Sequence, residues 1–331
     1  MTIETRAFAR AGLLGNPSDQ YHGRIIAISV KNFSACVFLD ESPDIRIETS
    51  VQDADIYRDE REFTERINLY GYYGGTRLIK AAVKSFFDYC RNRNIPTRPA
   101  NFALRYDSDI PRQVGLAGSS ALIVAAMRAL MAYYDVRIPD EVLPTLVLRA
   151  ELKELGINAG YMDRVIQVYE GCVYMNLERN LIEERGFGEY ERLSAGLLPP
   201  LYLAYKRDLG KVSGTVHNEL RTAYDRGDTA VIQAIEEIAG LAEEGRRGYD
   251  RGDFSGWPDL MNRNFDLRAQ IMEISPGNLE IVQTARRCGA STNFAGSGGS
   301  IVGIYQDENM FERLCQELGK LGAGVIKPKV I

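Results

Sequence analysis

Val114-Gly115-Leu116-Ala117-Gly118-Ser119-Ser120-Ala121 is the stretch whose reading decides the fold. On its N-terminal side, Asn101 to Tyr106 alternates like a strand. On its C-terminal side, Ala121 to Tyr134 is long, apolar and Ala-rich, the pattern of a buried helix. The segment between is therefore a strand–turn–helix corner built from small residues. Small residues let backbone N–H groups come close to a ligand. A helix starting near Ser119 aims its unpaired N–H groups and the positive end of its dipole at an anion. The hydroxyls of Ser119 and Ser120 suit a helix cap, a phosphate contact or a metal contact. On these residues alone an ordinary helix cap and a phosphate cradle are both open.

Other readings of this corner fail. A Walker A loop needs Gly-Lys followed by Ser or Thr, and no such tripeptide occurs in the chain. Gly115 and Gly118 do not supply GxGxxG, so the dinucleotide fingerprint is missing. The GxSxG elbow of hydrolases is also absent. With His22 and His217 as the two histidines, a Ser-His hydrolase has little to stand on.

Outward from the corner, Arg24 to Val30 and Phe33 to Leu39 read as strands, with Lys31-Asn32 as a tight turn between them. Ile45 to Thr49 reads as a third strand. Residues 76 to 91 place Leu78, Ile79, Ala82, Val83, Phe86, Phe87 and Cys90 at helical spacing. Pro139 to Leu155 reads as a further helix, followed by a loop from Gly156 to Gly160. Pro199 and Pro200 precede an apolar strand, Leu201 to Tyr205. Residues 209 to 288 are helical in pattern almost throughout. Strands return at Ser291 to Phe294, Ser300 to Tyr305 and Ala323 to Lys329, with a helix from Glu308 to Lys320. This shift in character predicts two domains, residues 1–197 and 198–331.

Composition narrows the class. The 331 residues are 45% hydrophobic and 26% charged, as in an ordinary globular protein. A formal net charge of -5 argues against nucleic-acid binding, which needs clustered Lys and Arg. Cys36, Cys90, Cys172, Cys288 and Cys315 are widely spaced and form no CxxC. Reduced thiols and a start without an apolar core predict a cytoplasmic protein. No apolar run reaches the length of a membrane span.

Two more loops deserve notice. Phe294-Ala295-Gly296-Ser297-Gly298-Gly299-Ser300 sits between two strands and reads alone as a flexible turn. Arg10-Ala11-Gly12-Leu13-Leu14-Gly15-Asn16-Pro17-Ser18-Asp19 mixes turn residues with an Arg and an Asp. With the Gly115 corner, these loops resemble the three motifs of the GHMP kinase superfamily in order and spacing. Within it, Arg10 to Asp19, Asp109 to Ser120, Gly160 to Val165, Tyr169-Glu170-Gly171 and Asn264 to Arg268 are most similar to the glucuronokinases.

The resemblance implies an α+β fold in two domains. The first is an N-terminal ribosomal-protein-S5-like α/β domain with a left-handed βαβ unit. The second is a C-terminal ferredoxin-like domain with added helices, and the active site lies between the two. It implies that Val114 to Ser120 hold the ATP phosphates and that Ser120 and Glu151 bind Mg²⁺, with Glu154 as rival to Glu151 because the spacing to Asp163 is slightly long. It makes Asp163 the catalytic base and Arg10 its partner at the transferring phosphoryl group. Asp19 would bind sugar hydroxyls, and Gly296, Ser297, Gly298 and Gly299 would shape the site.

Where galactokinases carry Gly-Glu-His-x-Asp, this chain has Gly15-Asn16-Pro17-Ser18-Asp19. Losing an acid there suits a sugar that carries its own carboxylate. Such a sugar needs a cationic clamp, for which Arg24, Arg164 and Arg268 are candidates, and Tyr21 is either a ring-stacking partner or a core residue. The expected activity is ATP-dependent phosphorylation of the anomeric hydroxyl of D-glucuronate, by a monomer or homodimer. The alternatives are galacturonate or a neutral hexose as substrate, and a non-catalytic sugar- or nucleotide-binding regulator.

Overall fold

The computed structural model describes residues 2–48, 75–206 and 220–330. Strand β1 (Ile3–Leu14) pairs antiparallel with β2 (Arg24–Ser42). Ala7, Ala9, Ala11 and Leu13, at alternate positions of β1, are fully buried, as a strand with one face on the core requires. β2 is one 19-residue strand, so the expected turn at Lys31-Asn32 is corrected. The C-terminal segment explains why. The Lys31 N–H donates to the Lys329 carbonyl at 2.8 Å, and Asn32 Oδ1 accepts from the Lys329 N–H at 2.7 Å. The β1 ladder steps from Ala9↔Val30 to Phe8↔Ser34 and skips these residues. Two polar residues that resemble a turn are instead a docking point for the chain's own end.

The first sheet runs β3 (Arg46–Ile47), β4 (Asn101–Ser108), β2, β5 (Cys172–Asn176), β6 (Glu189–Leu193), with β1 also on β2. β3 is shorter than expected and lies parallel to β4; Thr49 lies outside the described residues. Helices α1 (Gly75–Asn92) and α2 (Gly118–Tyr134) pack together, and α2 crosses β1 and β2. In α2, Ile123, Val124, Met127 and Leu130 are fully buried. Each such side chain contributes about 1.5–3 kcal/mol of burial, which anchors the helix and fixes the corner at its N-terminus.

The helix expected from Pro139 starts late, as α3 (Leu143–Arg149). The Pro139 carbonyl accepts from the N–H groups of Val142 and Leu143, closing a turn first, and Pro144 then fits the first helical turn. The last turn widens into a π-turn, Ala150–Glu154, a feature that often marks functional sites. Helices α4 (Met162–Tyr169) and α5 (Arg179–Arg185) follow.

The second sheet has the order β10 (Gly324–Ile326), β7 (Leu201–Tyr205), β9 (Ser300–Ile304), β8 (Asn293–Phe294), all antiparallel. In chain order that is fourth, first, third, second, the ferredoxin-like arrangement. Its helices are α6 (Thr229–Asp250), α7 (Trp257–Ile271), α8 (Pro276–Arg287) and α9 (Glu308–Lys320). Residues 209–219 of the expected helical stretch lie outside the described residues. The largest apolar cluster joins both parts, since Leu203, Ile238 and Trp257 pack with the core of the first sheet. That continuity brings together the loop after β1, the loop before α2 and the loop between β8 and β9.

Candidate active site

The corner before α2 is a bare helix start. Ala117 stands at its N-cap with φ 63°, and no side chain caps the helix. The Ser120 hydroxyl donates back to the Ala117 carbonyl at 3.2 Å. The first N–H groups of α2 are thus left without a side-chain acceptor, which is the condition for binding an anion.

The late Gly-rich loop lies against this corner. A Cβ on Gly296 would stand 2.1 Å from the Gly115 carbonyl oxygen, so only glycine allows the approach. Asn278 on α8 fixes the loop's far side, its Oδ1 accepting from the Gly299 N–H at 2.8 Å. Phe294 to Ser300 is therefore a packed wall and not the flexible turn its sequence suggests in isolation.

Arg10 ties three segments into one unit. It projects from β1 and is 4% exposed. Its Nε donates to Asp163 Oδ1 at 2.6 Å, and its Nη1 donates to the carbonyls of Gly115 and Ala295. One side chain thus holds a carboxylate, the phosphate-type corner and the late loop in fixed register. Asp163 opens α4, with its side chain 18% exposed. It also faces Arg164 Nη1 at 3.3 Å.

Arg164 is fully engaged with its neighbours. Its Nε and Nη2 both donate to Glu151 Oε2, and its Nη1 donates to the Gly160 carbonyl at 2.8 Å. Glu151 is fully buried on the π-turn, and its Oε1 has no partner among the described residues. Burial raises the Glu151 carboxyl, against the pull of Arg164. Glu154 faces outward and pairs with Lys84 at 2.7 Å. Of the two rival acids, Glu151 is the one inside the protein, with an oxygen to offer a cation.

Asp19 lies beside Asp163. Its Oδ2 accepts from the Met162 N–H at 3.0 Å. A Cβ on Gly160 would stand 2.0 Å from that oxygen, so this glycine is needed for the contact. Burial is the main reason the Asp19 carboxyl rises to about 6. Asp163 pushes it the same way, while the Met162 amide, Arg164 and Arg10 oppose the rise.

The three candidate clamps separate clearly. Arg24 pairs with Glu178 and Glu243. Arg164 pairs with Glu151 and Asp163. Arg268 on α7 is fully buried and donates from Nη1 to the Gly296 carbonyl at 2.8 Å, while its Nε and Nη2 have no partner among the described residues. Tyr21 resolves as a core ring, packed with Leu220, Val231, Ile235 and Met272, yet its buried hydroxyl is unpaired among the described residues.

A model of the GHMP kinases N-terminal domain matches residues 77–171, and one of the GHMP kinases C-terminal region matches residues 238–324. The chain belongs to the GHMP kinase family. Glucuronokinase 1 of Arabidopsis thaliana is 43% identical, over 96% of this chain and 90% of the relative. Probable glucuronokinase 2 of the same plant is 41% identical, over 98% and 90%. The fold of Lactococcus lactis galactokinase, solved with galactose, superposes with a TM-score of 0.77 at 15% identity, covering 99% of this chain and 93% of that one.

Three further residues of this GHMP kinase support the site, and of these Gln167 lies outside the stretches that the sequence singled out. Gln167, one helical turn after Asp163, is fully buried and donates from Nε2 to the Ala117 carbonyl at 2.8 Å. Asn264, one turn before Arg268, accepts the Gly15 N–H at 2.7 Å and donates to the Asn16 carbonyl at 2.9 Å. Asn16 in turn donates to the Gly296 carbonyl at 3.0 Å. The i, i+4 spacing from Asp163 is the clue that would have found Gln167. Among the described residues, no helix is long and apolar enough to cross a membrane.

Proposed function

We propose that this kinase transfers the γ-phosphoryl group of ATP to the anomeric hydroxyl of D-glucuronate, giving glucuronate 1-phosphate and ADP. The observation that carries the reading is Arg10, which holds Asp163 beside the Gly115 corner. Phosphoryl transfer needs a held triphosphate, neutralised charge and an activated hydroxyl in line. The N–H groups of the corner and the start of α2 would cradle the phosphates. Asp163 would accept the proton of the C1 hydroxyl as its oxygen attacks the γ-phosphorus, and the bond to the bridging oxygen of ADP breaks. Arg10 would keep the carboxylate oriented and add positive charge where the phosphoryl group passes.

Glu151 Oε1, buried and without a partner among the described residues, and the Ser120 hydroxyl, which matches the family's metal-binding Ser, suit a hard cation. Mg²⁺ commonly takes one or two protein oxygens and completes its shell with phosphates and water. When bound, it would neutralise charge on the β- and γ-phosphates.

The substrate class rests on the two glucuronokinase relatives and on the first loop, where Asn16 and Pro17 stand in place of an acid and a histidine. A kinetic panel tests it. Glucuronate should give a higher kcat/KM than galacturonate, glucose or galactose. Faster turnover of neutral hexoses would overturn the assignment.

A further inference from the structure

Arg268 is unlike the other buried arginines. Arg10 pairs with Asp163, and Arg164 with Glu151. Among the described residues no ion pair involves Arg268, although it is fully buried. Leaving a guanidinium uncompensated in the interior is costly, and such a charge persists where a ligand completes it.

The pattern of its donors identifies the ligand. In a guanidinium, Nη1 lies on the side of Cδ, whereas the Nε–H and Nη2–H bonds run parallel and form a fork. Arg268 uses Nη1 on the Gly296 carbonyl and leaves Nε and Nη2 without partners among the described residues. That fork is the edge that receives the two oxygens of a carboxylate side by side. The ring of Phe294 lies 5.1 Å from the guanidinium carbon and holds its plane. The Nη1 hydrogen bond to the Gly296 carbonyl is a second restraint on the same group.

The surroundings place this fork on the sugar side. Asp19, Arg10 and Tyr21 all act electrostatically on Arg268, so the four side chains share one neighbourhood. Tyr21 brings an unpaired buried hydroxyl. Asp19 has its own backbone donor in Met162 and does not form an ion pair with Arg268.

We propose that the Nε/Nη2 fork of Arg268, assisted by the Tyr21 hydroxyl, clamps the C6 carboxylate of the sugar and sets the preference for a uronate over a neutral hexose. This rests on the uronate reading above. The test compares glucuronate with glucuronamide, a neutral substitute of nearly the same shape, in wild-type enzyme, Arg268→Met, Arg268→Lys and Tyr21→Phe. Wild-type enzyme should favour the carboxylate in kcat/KM by on the order of 10²-fold, the strength of charged hydrogen bonds. Arg268→Met should reduce that ratio to within a few-fold, acting through the KM for glucuronate and leaving the KM for ATP unchanged. Arg268→Lys keeps the charge without the fork and should fall between. It also decides the matter if the Met variant fails to fold. Tyr21→Phe should lower the ratio by a smaller factor.

A Met or Lys variant that keeps the wild-type ratio would overturn the clamp while leaving the kinase assignment intact. So would a rise in the KM for ATP with the KM for glucuronate unmoved, because the fork would then serve a phosphate. A wild-type enzyme that favours neutral hexoses would remove the uronate reading and the clamp together.

Discussion

Two buried arginines divide this site into unlike halves. Arg10 has its Nε and Nη1 donors placed on Asp163, Gly115 and Ala295. Arg268 has Nη1 on Gly296 and its other edge unpaired. On the Arg10 side the protein itself completes the polar contacts, so the geometry proposed for phosphoryl transfer would exist before any ligand arrives. On the Arg268 side, the Arg268 fork and the Tyr21 hydroxyl are buried without partners among the described residues. The difference separates two tasks. A transfer site gains from rigidity, because misplacement by an ångström lowers rate. A recognition site gains specificity from groups that the wrong ligand leaves unsatisfied.

Substitutions on the Arg10 side should cost the most. Asp163→Asn keeps the shape and removes the base. Turnover should fall by roughly 10²–10⁴-fold while ATP still binds, measured by steady-state kinetics and calorimetry. Unchanged turnover would remove Asp163 from that role. Arg10→Lys keeps the charge but cannot bridge Asp163 and two carbonyls at once. A loss in kcat on the order of 10²-fold is expected from the loosened geometry, with a smaller change in KM for the sugar. A pure KM effect would move Arg10 to the recognition half.

Asp19 sharpens the comparison through pH. Its folded value, about 6, stands above its ordinary 3.8, chiefly through burial. A group raised in this way adds stability that is full below 3.8 and is lost as pH rises through about 6. At pH 8 the buried charge costs roughly 3 kcal/mol. Asp19→Asn should therefore melt higher than wild type at pH 8, by more than it does at pH 4, while losing sugar affinity. A melting difference that stays constant across this range would contradict the burial account. The smallest effect should come from Gln167→Met, which removes the contact to Ala117 and costs about 1 kcal/mol. It should raise the KM for ATP a few-fold and leave the glucuronate-to-glucuronamide ratio alone.

What the sequence made legible follows the same division. The strand–turn–helix corner at Gly115 and α2 were readable from local spacing and small residues, whereas the late Gly-rich loop reads alone as a flexible turn and stood out only through its resemblance to the third family motif. Glu308–Lys320 was readable from helical period alone. Lys31-Asn32 misled because a distant segment, the C-terminal end, occupies the polar groups that a turn would have used. The π-turn that carries Glu151 has no composition of its own, which is why the helix read as starting early and running evenly. Among three arginines, sequence could not choose the clamp. In the structure two of them pair with Glu178, Glu243 and Glu151, partners that lie far away along the chain or across a turn.

The most direct test of the account is the position of the new phosphate. Enzyme incubated with D-glucuronate, ATP and Mg²⁺ should give a phosphorus resonance split by the anomeric proton, and Asp163→Asn should abolish it. A phosphate on any other oxygen, or release of inorganic phosphate alone, would contradict the assignment of Asp163 as the base for an anomeric hydroxyl.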